Sequence, residues 1–126
     1  MRKSFWILLI LLFGAQFASA HIYLEKNYQN YWCEKNNGLA EFKLDDKTRV
    51  DCLTSTHAIE FDFAPKWAES IGQSLYYAIK TGKKPLVVLI LESKKDNKYL
   101  KRLNAVAEKL QIEVVTITPE DLSTRP

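Results

Sequence analysis

Hydrophobic and polar residues alternate with a period of two along three short segments in the first half of the chain. A period of two is typical of strands that bury one face. The Asp-Asp-Lys run at 45–47 is a turn signal between the first two segments. We therefore predict an antiparallel meander of three strands, at 39–44, 49–54 and 58–63.

The remaining segments alternate between helical and strand patterns. A helix is predicted before the meander, and another follows it from Ala64-Pro65 to Thr81, where Gly82 is a suitable C-cap. The uninterrupted apolar run LVVLIL is typical of a strand covered on both faces. The predicted order is α-β-β-β-α-β-α-β, a mixed α/β sheet with helices on both faces. In this order, the first and third helices are predicted at 27–36 and 96–110, and the fourth and fifth strands at 86–91 and 113–118.

The first twenty residues have the pattern of a secretory signal peptide. Arg2 and Lys3 precede an apolar run, and Ala18-Ser19-Ala20 matches an A-x-A cleavage site. We expect residues 1–20 to be removed and 21–126 to form a single exported domain, periplasmic or secreted, with no membrane segment. The formal net charge of +3 would fall to +1 once Arg2 and Lys3 are lost, which argues against a uniformly basic nucleic-acid coat protein.

Two cysteines, Cys33 and Cys52, fall in the predicted exported domain. They are either joined in a disulfide or buried as separate thiols. An oxidising compartment favours the disulfide, which would stabilise the domain by roughly 3 kcal/mol.

Three carboxylates, Asp51, Glu60 and Asp62, alternate with apolar residues in the second and third predicted strands. Side chains on neighbouring strands approach within about 5 Å when they share a face, and clustered carboxylates are the oxygen ligands that Mg²⁺ and Mn²⁺ take. The alternative is that these acids pair with Lys43, Arg49 or Lys66 on a solvated face, where ion pairs contribute little.

The helix after the meander carries a polar stripe of Lys66, Ser70, Gln73 and Tyr77, spaced four, three and four residues apart. Lys66, at the carboxylate end, is suited to neutralise a phosphate or orient a water. Gln73 and Tyr77 either hold a strand or base of a nucleic acid or serve in helix–sheet packing.

These residues and this element order resemble the PD-(D/E)XK nuclease superfamily, which has an α-β-β-β-α-β restriction-endonuclease-like core. Asp51 matches its first acid and Glu60 its second, and Gln73 and Tyr77 match the Q-x-x-x-Y motif of exonuclease-type members. The resemblance implies catalytic roles for Asp51, Glu60 and Lys66, and a Mg²⁺ or Mn²⁺ ion held by Asp51, Glu60 and Asp62. In some members a glutamate on the first helix joins the site, which Glu34 would supply. Glu41 is a further accessory candidate.

The signature lysine is missing, because the third strand reads Glu60-Phe61-Asp62. Either Lys66 replaces it from the following helix, or the protein is an inactive relative. The expected function is an exported, divalent-metal-dependent nuclease acting on DNA or RNA. The alternatives are a noncatalytic module of the envelope that binds nucleic acid or protein, and an envelope protein whose acids are structural. The basic run at 94–102 is either a phosphate-binding patch or a solvated face. The oligomeric state is not indicated.

Overall fold

The computed structural model describes residues 20–124, which form a five-stranded mixed sheet with helices on both faces. Short 3₁₀ turns at Ala64–Lys66 and Lys94–Asp96 precede two of the helices. The helices are α1 (Glu25–Lys35), α2 (Trp67–Thr81), α3 (Asn97–Leu110) and α4 (Pro119–Ser123), and the strands are β1 (Leu39–Lys43), β2 (Arg49–Leu53), β3 (His57–Phe63), β4 (Lys84–Ile90) and β5 (Glu113–Ile117).

The strands lie in chain order across the sheet. The first three form the predicted antiparallel meander, whereas β3–β4 and β4–β5 are parallel pairs connected through α2 and α3. Parallel neighbours need such crossovers because the chain must return to the same end of the sheet. The carboxyl ends of β3, β4 and β5 therefore lie along one edge.

Two hydrophobic cores lie on opposite faces of the sheet. On one face, Phe61 and Val88 pack with Tyr28 of α1, and Leu122 of α4 adds to this cluster. On the other face, Val87 and Leu89 pack with residues of α2 and α3. Because Val87 and Leu89 are the β4 partners of Glu60 and Asp62, these two acids belong to the α2 face.

Sequence signals set the limits of α2. Pro65 lies in the 3₁₀ turn that leads into the helix, where its missing N–H costs no helical hydrogen bond. Gly82 ends the helix with φ of 69°, a left-handed conformation that glycine adopts without strain. Ser70, Gln73 and Tyr77 of the predicted stripe therefore lie on α2, whereas Lys66 is the last residue of the 3₁₀ turn that precedes it.

The mixed α/β class is confirmed, but the element order differs in detail from the prediction. The structure adds α4 and the two 3₁₀ turns, and α1 starts at Glu25, two residues before the predicted helix. The predicted signal segment, apart from Ala20, lies outside the described residues. Among residues 20–124, no helix has the length and apolar character needed to cross a bilayer.

The predicted disulfide is confirmed. Cys33 of α1 is bonded to Cys52 of β2, and their Cα atoms lie 5.8 Å apart. Both residues are buried in the core beneath α1. The bond fixes the first helix to the central part of the meander.

Gly38 contacts this disulfide so closely that a larger residue would not fit. A Cβ atom at position 38 would overlap Cys52 Sγ and lie 2.7 Å from Cys33 Sγ. Gly38→Ala should therefore destabilise the domain by about 1–3 kcal/mol and lower its Tm by at least roughly 5 °C in a thermal melt. The matched control is Gly72→Ala on the exposed side of α2, where a Cβ meets nothing within 4 Å, and which should stabilise by up to about 1 kcal/mol. Equal melting temperatures for the two variants would contradict this packing.

Candidate functional site: a carboxyl cluster between β2 and β3

The sheet opens between β2 and β3 at the position of the predicted acids. Every residue of β3 is paired with β4, whereas only Ala58 and Ile59 are paired with β2. Beyond these two, the Asp51 side chain takes the place of a backbone acceptor, because its Oδ2 accepts a hydrogen bond of 2.8 Å from the Phe61 N–H. Asp51 is thereby held against the free edge of β3, next to Glu60.

An irregularity in β1 and β2 turns Asp51 into this opening. The strict alternation predicted for this strand would place Asp51 on the face opposite to both Val50 and Cys52, and this is wrong. Val50 packs with Tyr77 of α2, whereas Cys52 is bonded to Cys33 of α1, so the strand does not keep a strict period of two. Across from it, Glu41 has φ of 55°, which is uncommon for a residue with a side chain.

Glu60 and Asp62 are the most buried acids of the cluster, with 4% and 6% of their surfaces exposed. No hydrogen-bond donor within residues 20–124 reaches Glu60 Oε2 or Asp62 Oδ2. A buried carboxylate oxygen without a donor is costly. These carboxyls must therefore carry a proton or face a cation.

The pKa values of the central pair are raised for that reason. Burial raises the pKa of Glu60, and the adjacent charges of Asp51 and Asp62 raise it further. Burial also raises the pKa of Asp51, but the hydrogen bond from Phe61 N–H opposes this shift. The two carboxyls also act on each other: Asp51 raises the pKa of Glu60, whereas Glu60 lowers that of Asp51, so Glu60 is the member of the pair that keeps its proton to higher pH.

Two further acids extend the cluster. Burial, followed by the charges of Glu25 and Asp51, raises the pKa of Asp62 to about 7. Burial and the charge of Asp51 likewise raise the pKa of Glu25, on α1, to about 7. The structure therefore brings together Asp51, Glu60 and Asp62, as the sequence suggested, and adds Glu25.

Gln29 of α1 connects this helix to the two irregular strands. Its Nε2 donates hydrogen bonds to the backbone oxygen of Asp51, at 2.8 Å, and to Glu41 Oε1, at 3.0 Å. Only 3% of Gln29 is exposed. Glu41 thus borders the cluster through Gln29, and its charge contributes to the raised pKa of Asp51.

Sequence reasoning missed Glu25 because the predicted helix began at residue 27, and it did not single out Gln29, which lies within that helix. One signal was available: Glu25, Gln29 and Cys33 recur every four residues and share one side of α1. Glu34, the predicted accessory residue, lies elsewhere. It is exposed and lines a surface cavity of about 400 Å³ with Tyr23 and Asn30.

Lys66 lies at the exposed rim of the site, directly after β3. Its charge opposes the raised pKa values of Glu25 and Asp62. Within the described chain it makes no ion pair with any carboxylate. Lys66 is therefore a nearby cation whose ammonium group remains available to another anion.

The two predicted substrate-binding residues of α2 are placed differently. Tyr77 is buried, and burial, together with the charges of Glu60 and Asp51, raises the pKa of its hydroxyl to about 12. Gln73, one turn earlier, is exposed. Tyr77 thus lies close to the carboxyl cluster, whereas Gln73 is exposed to solvent on α2.

No three Asp, Glu, His or Cys side chains in residues 20–124 are arranged to hold a metal ion directly. Burial and the charges of Asp51 and Asp62 raise the pKa of Glu60 to about 10, so this carboxyl is protonated at neutral pH. A cation would bind here only as these carboxyls lose protons and rearrange around it.

Comparisons of the chain with protein-family models, with curated proteins and with solved structures find no match.

Proposed function

We propose that this protein is an exported nuclease of PD-(D/E)XK type that hydrolyses phosphodiester bonds with Mg²⁺ or Mn²⁺. One observation carries the proposal: the buried pair of Asp51 and Glu60 lies at an opening of the sheet, with unpartnered oxygens on Glu60 and Asp62. A structural ion pair would supply a basic partner for each buried acid. Within the described chain these acids form no ion pair, and the cation that acts on Asp62 is the exposed Lys66.

The donor set suits a hard divalent cation. Asp51, Glu60 and Asp62 offer only carboxylate oxygens, which is the chemistry that Mg²⁺ and Mn²⁺ prefer. The Phe61 N–H points to the β2 side, and in a strand the carbonyl of such a residue points the same way, so it adds a fourth oxygen. When bound, such an ion supplies charge stabilisation for a phosphate under attack.

The chain's own residues would then have distinct roles. The Phe61 N–H fixes the orientation of Asp51, and Gln29 fixes the backbone at the same residue. Lys66 would bind a phosphate oxygen or orient the attacking water, as the signature lysine does in the family that the sequence resembles. Tyr77 closes the inner side of the site, and Gln73 would contact the substrate at its exposed side.

Export is supported by two features. The N-terminal residues have the pattern of a signal peptide, and the Cys33–Cys52 disulfide is typical of an oxidising compartment.

A noncatalytic relative is the second candidate, and the identity of residue 62 favours it. Asp62 occupies the position of the signature lysine, and an additional buried carboxylate there increases repulsion of a phosphate. Such a relative would bind nucleic acid or a protein partner without cleaving it.

The test is a cleavage assay with the mature chain. End-labelled single- and double-stranded DNA and RNA would be incubated with Mg²⁺, Mn²⁺, Ca²⁺ or EDTA. We expect cleavage with Mg²⁺ or Mn²⁺ and none in EDTA. Because a ligand that binds only the folded state stabilises it by about 2.7 kcal/mol at 100 times its Kd, the active ion should also raise the Tm by roughly 10 °C.

The two measurements separate the candidates. A metal-dependent rise in Tm without cleavage of any substrate would identify the noncatalytic relative. Neither cleavage nor a change in Tm would refute the proposed metal site.

A further inference from the structure

The start of α3 and the turn before it form a concentrated basic surface. Residues 94–102 include five cations and one acid, Asp96. All five cationic side chains are exposed, and none forms a salt bridge within the described residues. The five are Lys94, Lys95, Lys98, Lys101 and Arg102, which we call the basic surface.

The acids beside this surface are engaged by other groups. Asp96 Oδ2 accepts hydrogen bonds from the backbone N–H groups of Glu92, at 2.8 Å, and Ser93, at 3.4 Å. Glu92 is bonded to the His21 ring and accepts a hydrogen bond of 2.7 Å from the Ile22 N–H. Within the described residues neither acid forms a salt bridge with a cation of the basic surface.

Tyr99 holds two of these cations in defined positions. Lys98 Nζ lies 5.0 Å from the centre of the Tyr99 ring, and the Arg102 guanidinium lies 5.6 Å from it. Such cation–π contacts restrict long side chains that otherwise lose entropy when they bind a ligand.

A groove lies beside the basic surface, at the end of β3. A cavity of about 340 Å³ is lined by Lys95, Lys98 and Tyr99, by Phe63 and Pro65, and by the two hydrogen-bonded acids Glu92 and Asp96. Phe63 directly follows Asp62, and Pro65 directly precedes Lys66. The groove lies at the carboxyl ends of β3 and β4, where α/β sheets commonly bind ligands.

We propose that the groove and the basic surface bind the phosphodiester backbone of a nucleic acid strand and direct it to the carboxyl cluster. The choice of nucleic acid as the anion rests on the proposed nuclease function. The placement itself rests on charge complementarity, because a polyanion is the partner for unpaired cations. Two residues that line the groove, Phe63 and Pro65, adjoin Asp62 and Lys66 in the chain.

The test measures binding without cleavage. Anisotropy of fluorescent single-stranded and duplex DNA, and of matching RNA, would be titrated with the mature chain in EDTA at several salt concentrations. The variant Lys95→Gln/Lys98→Gln/Arg102→Gln should bind at least roughly 10-fold more weakly. Its log–log salt slope should fall by up to about 2, because each phosphate contact on a single strand contributes about 0.7.

The matched control removes the same charge elsewhere. Three lysines, Lys47, Lys84 and Lys109, are exposed and lie away from the groove. Because Lys109 is on α3, its substitution shows whether loss of any positive charge from this helix weakens binding. Lys47→Gln/Lys84→Gln/Lys109→Gln should retain most of the affinity. Tyr99→Phe should bind as wild type does, whereas Tyr99→Ala should lose affinity, because only Phe keeps the aromatic ring.

These binding measurements test the proposed groove whether or not the protein cleaves nucleic acid. Equal losses in the two triple variants, or no binding by the wild type, would overturn the proposed groove even if the protein cleaves nucleic acid. Tighter binding to vesicles of anionic lipid than to any nucleic acid would also overturn it. Loss confined to the groove variant would support it even if no cleavage is found.

Discussion

Asp51→Asn and Glu60→Gln should each abolish metal-dependent cleavage while the domain stays folded. Each change keeps the shape of the side chain but removes charge that a divalent cation requires. Loss of several kcal/mol of charge stabilisation corresponds to a rate at least about 10³-fold lower, at 1.36 kcal/mol per factor of ten. Initial rates on a labelled substrate would measure the loss of cleavage, and calorimetry with Mn²⁺ would measure the loss of metal affinity.

Lys66→Ala should give a different result, because the lysine would act on phosphate or water. Its rate should fall by about 10²-fold or more, with Mn²⁺ affinity nearly unchanged.

Asp62→Lys restores the residue that the resembled family carries, so retained activity would show that Asp62 is dispensable as a ligand. Glu108→Gln, an exposed acid on α3, is the neutral control. Full activity of both Asp51→Asn and Glu60→Gln would place the chemistry outside this cluster.

In EDTA, the domain should be distinctly more stable at pH 5 than at pH 8. The folded pKa values of Glu25 and Asp62 are about 7, above their usual values near 4, and the pKa of Glu60 is also raised. Between pH 4 and 7 the folded state therefore binds more protons than the unfolded state. The free energy of unfolding then falls as the pH rises through this interval. Thermal melts across the range would record the loss.

Glu60→Gln should remove much of this fall in stability between pH 5 and pH 8. Glutamine is neutral at every pH, as the protonated glutamate is, and it never adds a second charge beside Asp51. At pH 5 the variant should melt close to wild type. At pH 8 it should melt at least roughly 5 °C higher, since one unit of raised pKa is about 1.4 kcal/mol.

Asp46→Asn is the control for a general effect of removing an acid. Hydrogen bonds from Thr48 and Tyr76 lower the pKa of Asp46 to about 2, so its ionisation does not change between pH 5 and 8. The pH dependence of this variant should match that of wild type. A wild-type Tm that is constant or rises from pH 5 to pH 8 in EDTA would contradict the raised pKa values.

The sequence predicted the elements whose signals are local. Alternation and turn residues placed the meander, while Pro65 and Gly82 delimited α2. The start of α1 was missed because Leu24, the residue before it, is not a usual N-cap. Its backbone N–H is instead satisfied by Asn27 Oδ1, at 3.0 Å. The five-residue α4 was missed because so short a helix has almost no period to recognise.

The site was predictable only in part, for a physical reason. Asp51, Glu60 and Asp62 follow from strand alternation and motif spacing. The irregularity that turns Asp51 between β2 and β3 does not, because it arises where β1, β2 and α1 meet around Glu41 and Gln29. The contribution of Glu25 likewise depends on where α1 docks, which the disulfide and the core determine and local propensity does not.

The disulfide also has a consequence for the timing of assembly. Gln29 lies one turn before Cys33 on α1, and Asp51 lies next to Cys52 on β2. Before oxidation, only non-covalent contacts hold the helix against the strand. For the proposed nuclease, the newly made chain in a reducing cytoplasm would lack the bond that secures the two halves of its site. In the cytoplasm, where the producing cell's own nucleic acid lies, the enzyme would therefore be less completely assembled than after its export.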